Sequence, residues 1–172
     1  MKQVKWFDRK FNFSGTQNSF PGVIERLAGT PIRLEDKVKD LTETMMLYSE
    51  DGTWSIKENI GHLTDLEPLW QERLNDIVKD KGYLRAADLQ NNRTHHADHN
   101  MKDVAELLAD FRDVRQKTLT ALAGLDDGAI FKSALHPRLN IPMRTIDLFL
   151  FVSEHDDHHL ARISELINKV HQ

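Results

Sequence analysis

Apolar residues recur at every third or fourth position along much of the chain, which is the spacing of one face of an α-helix. The clearest stripe lies in residues 55–79, where Ser55 is a candidate N-cap and Glu58 stands at the capping-box position. Its apolar members are Ile56, Ile60, Leu63, Leu66, Trp70, Leu74 and Ile77. This pattern predicts one long amphipathic helix.

Three other segments show the same period. Residues 21–46 contain two prolines and predict either two short helices or one kinked helix. Asn100 is the predicted cap of a helix that ends near Ala123. Pro142 is the predicted first residue of a last helix that reaches about Val170.

The connections between these helices are long. Residues 82–100 and 125–141 lack periodicity, and the alternating pattern of strands is nearly absent. The sequence therefore predicts an all-α fold, a four-helix bundle with long connecting loops. Residues 1–172 are predicted to form a single domain, because neither an internal repeat nor a linker composition is present. Residues 1–18 are predicted to form an aromatic arm packed on the bundle or on a second subunit.

The composition of the chain argues against several classes of partner and excludes cysteine chemistry. The 172 residues carry a net charge of −4, which disfavours nucleic acid as a partner. The chain has no cysteine, so disulfides, thiolate nucleophiles and thiolate metal ligands are excluded. The longest apolar run, residues 148–152, is too short to cross a membrane, and no signal peptide is evident, so we expect a cytoplasmic protein without a membrane partner. Its nine histidines are the unusual feature, and any metal site must use nitrogen and oxygen donors.

Two of these histidines interrupt the apolar stripe of the last predicted helix. The stripe consists of Leu148, Val152, His155, His159, Ile163, Leu166 and Val170. His155 and His159 are four residues apart on a face that is apolar at both ends, so both are predicted to point into the bundle. This spacing lets two imidazoles bind one metal ion, although a hydrogen-bonded pair of core histidines is an alternative interpretation.

A third ligand must come from elsewhere in the chain. His62 lies in the helix predicted for residues 55–79, on a mostly apolar face, and is the best candidate. The alternative is a histidine at the core boundary that bonds a backbone carbonyl.

Two motifs resemble a known family. Trp54-Ser55 followed by His62-Leu63 resembles the W-[ST]-x6-H-[LI] start of the second helix in the DinB/YfiT-like superfamily. The segment from His155 to Ile163 resembles the H-x-x-H-H-x-x-x-I signature of its last helix, and the resemblance extends over residues 20–170. It implies a DinB-like bundle of the up-down-down-up type.

The resemblance also implies a metal centre and a class of reaction. Members typically bind a divalent metal, often nickel or zinc, through three histidines, which correspond here to His62, His155 and His159. The implied function is a metal-dependent enzyme acting on a small molecule, either a hydrolase or an S-transferase with a low-molecular-weight thiol as co-substrate. Homodimers are common among such bundles, so a homodimer is also an expectation, although the sequence indicates no interface.

Other polar residues are candidates for substrate binding. His158 is predicted at the edge of the metal site, and Arg93, His95 and His99 lie in a loop that could cover it. Arg138, in the last connection, could hold a carboxylate.

The sequence identifies no catalytic base. Asp65, Glu58 and Glu154 lie within one helical turn of the histidines, and each is a candidate to fix the tautomer of a ligand. Asp156 stands where the H-E-x-x-H metalloproteases have glutamate, but its shorter side chain and the bundle pattern argue against proteolysis. Two alternatives of another class remain open: a metal-binding protein without turnover, and an interaction module without metal.

Overall fold

The computed structural model describes residues 3–13, 15–16, 19–50 and 52–171. Four long helices form a bundle, and short helices and two short strands connect them. The long helices are α1 (Phe20–Val38), α3 (Ile56–Val78), α5 (Val104–Ala123) and α7 (Thr145–Val170). The short ones are α2 (Glu43–Met46), α4 (Asn92–His95), α6 (Asp127–Phe131), β1 (Ser133–Leu135) and β2 (Pro142–Arg144). The all-α four-helix bundle predicted from the sequence is therefore confirmed.

Helices α1 and α3 each pack against both α5 and α7, so α1 lies diagonally across the bundle from α3. The apolar stripes of all four helices meet in two adjoining core clusters, one around Leu27, Trp70 and Phe149 and the other around Ile60 and Phe111. Because α3 and α7 are direct neighbours, the histidines of their inner faces are brought together.

The start of α3 agrees with the prediction. Ser55 is its N-cap and accepts a hydrogen bond from the backbone N–H of Glu58, whose side chain accepts one from the N–H of Ser55. Residues 21–46 resolve into one helix, α1, which contains Pro31, followed by the separate short helix α2.

Two predicted helix starts are wrong by three residues. Asp103, not Asn100, caps α5, and its carboxylate accepts from the N–H of Ala105 at 2.7 Å. Helix α7 begins at Thr145 rather than Pro142, because residues 142–144 pair antiparallel with residues 133–135 as a two-stranded hairpin. The long loop 82–100 also contains helix α4.

The aromatic residues of the first segment pack along α7. Trp6, Phe11 and Phe13 pack against the first core cluster, whereas Phe7 is exposed. Of the predicted arm, residues 1–2, 14 and 17–18 lie outside the described residues. The assignment of residues 1–172 to one domain stays a prediction. In the described part of the chain, no helix is long and apolar enough to span a bilayer.

Candidate metal centre

The three histidines predicted as ligands come together in the structure. His62 lies on α3, His155 and His159 lie one turn apart on α7, and all three are buried. The ring centres are 4.6 to 5.3 Å apart. One ring nitrogen of each residue lies within 4.8 Å of the corresponding nitrogens of the other two, a spacing that could hold a metal ion.

A chain of hydrogen bonds fixes the tautomer of His62. The hydroxyl of Thr94 donates to Oδ2 of Asp65 at 2.9 Å, because a carboxylate can only accept. The Thr94 oxygen, 2.9 Å from Nδ1 of His62, must therefore accept from that nitrogen. The proton of His62 thus sits on Nδ1, and its Nε2 has a free lone pair. This is the arrangement by which outer carboxylates orient metal-binding histidines.

Asn59 orients His159 in the same way. The amide nitrogen of Asn59 donates to the backbone carbonyls of Trp54 and Ser55, so its Oδ1 faces Nδ1 of His159 at 2.8 Å. His159 must donate there, and its Nε2 lone pair is free. Two histidines from neighbouring helices therefore offer Nε2 lone pairs into the same space.

The third ring completes the donor set. Nε2 of His155 lies 3.3 Å from Nε2 of His159, a separation that two nitrogens can have when each is about 2.1 Å from one ion. Nδ1 of His155 is buried and has no hydrogen-bond partner among the described residues. The rings of Trp6 and Trp70 pack edge-on against this imidazole, with centres 4.9 and 5.9 Å away.

Burial keeps all three rings neutral. It lowers the pKa of His62 to about 4, and it holds the pKa values of His155 and His159 well below the ordinary histidine value. Asp65 behaves in the opposite way to an isolated buried carboxyl. Burial raises its pKa, but hydrogen bonds from His99 and Thr94 outweigh this and lower the pKa below its usual value. Neutral imidazoles backed by an ionised carboxylate are the protonation states that metal binding requires.

The three histidines line a large cleft, which we call the histidine cleft, with a volume of about 1180 Å³. All three tryptophans of the chain, Trp6, Trp54 and Trp70, contribute to its wall. Its lining also includes charged residues, among them Arg138 and Arg162. The histidines can therefore be reached from a cavity of the size that holds small molecules.

The predicted substrate-binding residues lie in different places. His158 and Arg138 line the histidine cleft, whereas Arg93, His95 and His99 are absent from the described residues of its wall. Exposed His95 packs on Trp54, with ring centres 5.8 Å apart, and exposed Arg93 lies 3.2 Å from Asp65. Buried His99 donates from Nε2 to Asp65 at 2.8 Å. Substrate binding by these five residues stays a prediction.

Asp156 points away from the cleft. Its buried carboxylate bonds Arg115 and the hydroxyl of Thr30, so it cannot act on a substrate beside the histidines. Glu58 and Glu154 are also engaged elsewhere, in the capping box of α3 and in ion pairs with arginines. Of the three carboxylates considered from the sequence as orienting groups, Asp65 is the one linked to a ligand histidine. Thr94, which makes the link, was not identified because it lies in a loop without periodicity.

Comparison with known proteins places the chain in a family. No curated protein matches it. Its fold is similar to the solved structure of YfiT from Bacillus subtilis, with 22% sequence identity and a TM-score of 0.81 over 94% of this chain and 93% of that one. YfiT is described as a probable metal-dependent hydrolase with an unusual four-helix bundle topology. The model of the DinB superfamily matches residues 26–163, and the chain therefore belongs to this superfamily.

Proposed function

We propose that this protein is a metal-dependent hydrolase of a small molecule, with a divalent ion held by His62, His155 and His159. The observation that carries the proposal is the pair of Nε2 lone pairs that Thr94 and Asn59 fix toward one space, beside an accessible cleft. The description of the structural relative YfiT as a probable metal-dependent hydrolase supports the same reaction class.

The donor set is suited to a transition metal. Three neutral imidazoles suit zinc, nickel, copper and iron, and nickel or zinc is the expectation for this family. A divalent ion with three protein ligands and an open position supplies a Lewis acid and lowers the pKa of bound water. The residues of the chain hold the donors in place through Asp65, Thr94 and Asn59, and the tryptophans supply aromatic surface to the wall of the cleft.

A large cleft beside the histidines favours an enzyme over a protein that only stores or senses a metal. An ion that serves stability alone is typically enclosed by four protein ligands, whereas the described cluster has three. Transfer of a low-molecular-weight thiol would use the same centre, and we prefer hydrolysis because the structural relative carries that description. Dimer formation and a cytoplasmic location remain expectations from the sequence.

The test is metal content together with turnover. We expect about one nickel or zinc per purified chain by inductively coupled plasma mass spectrometry. His62→Ala should lose the metal. Thr94→Val, which removes the hydroxyl between His62 and Asp65, should weaken metal affinity about 10- to 100-fold, and Thr94→Ser should restore it. The exposed His171 lies outside the cleft, so His171→Ala is the matched control and should keep its metal.

Hydrolytic activity should depend on the bound metal. A panel of nitrophenyl esters and amide substrates should be cleaved by the loaded wild type, slowly after chelation, and again after nickel or zinc is restored. A loaded protein that hydrolyses nothing in the panel but consumes a small thiol with an electrophile would favour S-transfer. A chain that takes up no metal at all would contradict both reactions.

A further inference from the structure

One region of the histidine cleft contains arginines that have no carboxylate partner among the described residues. The chain has eleven arginines, and nine of them lie within 4.0 Å of a carboxylate oxygen. Only Arg73 and Arg138 have no such partner among the described residues, and both line the histidine cleft. Two unpaired cations in one cavity indicate a ligand that carries negative charge.

Arg73 is the more constrained of the two. Its side chain is 2% exposed and lies over the ring of Trp70, 5.5 Å from the ring centre. Nε donates to the carbonyl of Arg85 at 3.0 Å, and Nη2 has no partner among the described residues. Burial, and next the charge of Arg138, lower the pKa of Arg73 to about 10, so the guanidinium is still charged at neutral pH. The charge of Asp76 acts on Arg73 from a longer distance, but a buried charge without a carboxylate in direct contact is costly unless a ligand supplies an anion.

The neighbouring His136 adds a second donor. Its Nδ1 accepts hydrogen bonds from the backbone N–H groups of Arg138 and Leu139, at 3.2 and 3.1 Å. Burial, aided by Arg73 and Arg138, lowers the pKa of His136 to about 4, so the ring is neutral and its one proton sits on Nε2. That N–H faces Nη1 of Arg73 across 3.2 Å. Two donors therefore meet with no acceptor between them, and one oxygen of an anion could accept from both.

We propose that Arg73, His136 and Arg138 form an oxyanion subsite that holds a carboxylate or phosphate group of the substrate. This inference rests on the proposed hydrolase function and adds the substrate class, a small acidic molecule. The ring of Trp70 contacts both groups, with its centre 5.5 Å from the Arg73 guanidinium and 5.9 Å from the His155 ring. An anionic group bound at the subsite would therefore share the histidine cleft with the three histidines.

The experiment measures anion binding without metal or turnover. Because all three tryptophans line the histidine cleft, their fluorescence reports on its occupancy. The full chain, treated with chelator, is titrated with hexanoate, with hexyl phosphate, and with the uncharged hexanamide. We expect an anion to bind at least about tenfold more tightly than the amide, and the stronger of the two anions to identify the group on the substrate.

Three variants locate the site. Arg73→Met and Arg138→Met should each weaken anion binding about tenfold, and Arg73→Lys should recover part of the loss. Arg138 is half-buried, so its variant keeps the test decisive if the buried Arg73 variant does not fold. Arg162→Met is the matched control, because Arg162 lines the same cleft but is already paired with Glu50 and Glu165. It should change binding less than twofold.

The inference is overturned if the amide binds as well as both anions, or if Arg162→Met weakens binding as much as the Arg138 and Arg73 variants. These outcomes are separate from a failure of the proposed function. A chain that binds hexanoate through Arg73 yet takes up no metal would overturn the hydrolase and leave the oxyanion subsite standing.

Discussion

At the scale of single residues, the ring of His99 packs directly against Gly61 beside the site. A Cβ atom added to Gly61 would lie 2.3 Å from Cγ and Nδ1 of the His99 ring. This approach lets the imidazole reach Oδ2 of Asp65, the same oxygen that accepts from Thr94. A glycine in the interior of a helix costs stability, and here it makes room for the ring that helps to hold Asp65 ionised.

Gly61→Ala should therefore destabilise the fold. We expect the free energy of unfolding to fall by about 1 to 3 kcal/mol, because the ring must move and its bond to Asp65 is strained. The measurement is urea unfolding followed by circular dichroism. Gly29→Ala is the matched control, since its added Cβ would meet its nearest atom at 3.9 Å. That variant should be stabilised by about 0.5 to 1 kcal/mol. Equal effects of the two changes would contradict the packing argument.

The ligand histidines could be predicted from sequence, whereas of their supporting residues only Asp65 was a candidate. The four-residue spacing places His155 and His159 on one helix face whatever the rest of the chain does. Thr94 and His136 lie in connections, and their positions depend on how a loop folds back onto a distant helix. No local pattern encodes that contact, so the oxyanion subsite becomes visible only in three dimensions.

At the scale of helices, a buried ionic cluster ties the bundle together. Arg115 of α5 bonds Glu67 of α3 and Asp156 of α7, and it also donates to a backbone carbonyl of α1. Thr30 of α1 donates to the same Asp156 carboxylate. All four long helices therefore meet in one set of hydrogen bonds on the side of α7 that faces away from the histidine cleft.

Asp156→Asn should weaken this cluster strongly. We expect a loss of about 3 to 5 kcal/mol in the free energy of unfolding, because the change removes one charge from a buried and fully bonded group. The adjacent Asp157 is half-buried and pairs with Arg26 and Arg33, so Asp157→Asn should cost less than about 1 kcal/mol. Urea unfolding of the two variants side by side gives the comparison. A milder effect at Asp156 than at Asp157 would show that the cluster does not stabilise the bundle.

The starts of α3 and α7 show how local capping and distant pairing differ in what a sequence reveals. The capping box of Ser55 and Glu58 uses residues three apart, so the start of α3 could be identified. The start of α7 could not, because residues 142–144 are drawn into a hairpin with residues 133–135. Proline at position 142 is acceptable in both structures, and only the partner strand decides between them.

At the scale of the whole molecule, five histidines resist protonation in the folded state. They are His62, His136, His155, His158 and His159, and burial is the largest cause in each case. The unfolded chain takes up these protons near pH 6.5, so below that pH it binds more protons than the folded protein does. The contribution of these histidines to the free energy of unfolding is complete above about pH 6.5 and is lost as the pH falls below that value.

The metal-free protein should therefore unfold in mild acid. In the presence of chelator, we expect the free energy of unfolding to change little between pH 8 and 7. Below pH 6.5 each of these histidines should add a slope of up to about 1.4 kcal/mol per pH unit. Urea unfolding at pH 7.5, 6.5 and 5.5 measures this slope. His136→Gln removes one of the five histidines, so it should reduce the slope by the contribution of about one proton. A stability that does not change from pH 7 to 5 would contradict the lowered pKa values.

The arrangement of the helices was only partly predictable. Apolar stripes show which face of each helix turns inward, but not which helices become neighbours. The contact between α3 and α7 brings His62 to the other two histidines, and it had to be taken from the resemblance to the superfamily rather than from the stripes.

The wall formed by the first residues has a consequence for the order of folding. Gln3 donates to the carbonyl of His158, a contact between positions 155 residues apart, and Trp6 packs on His155. These contacts close a loop that contains most of the chain, and they need α7 as their partner. During synthesis, residues 3–9 are made before α7 and cannot form these contacts until α7 is present. The histidine cleft therefore cannot close on this side before α7 has folded.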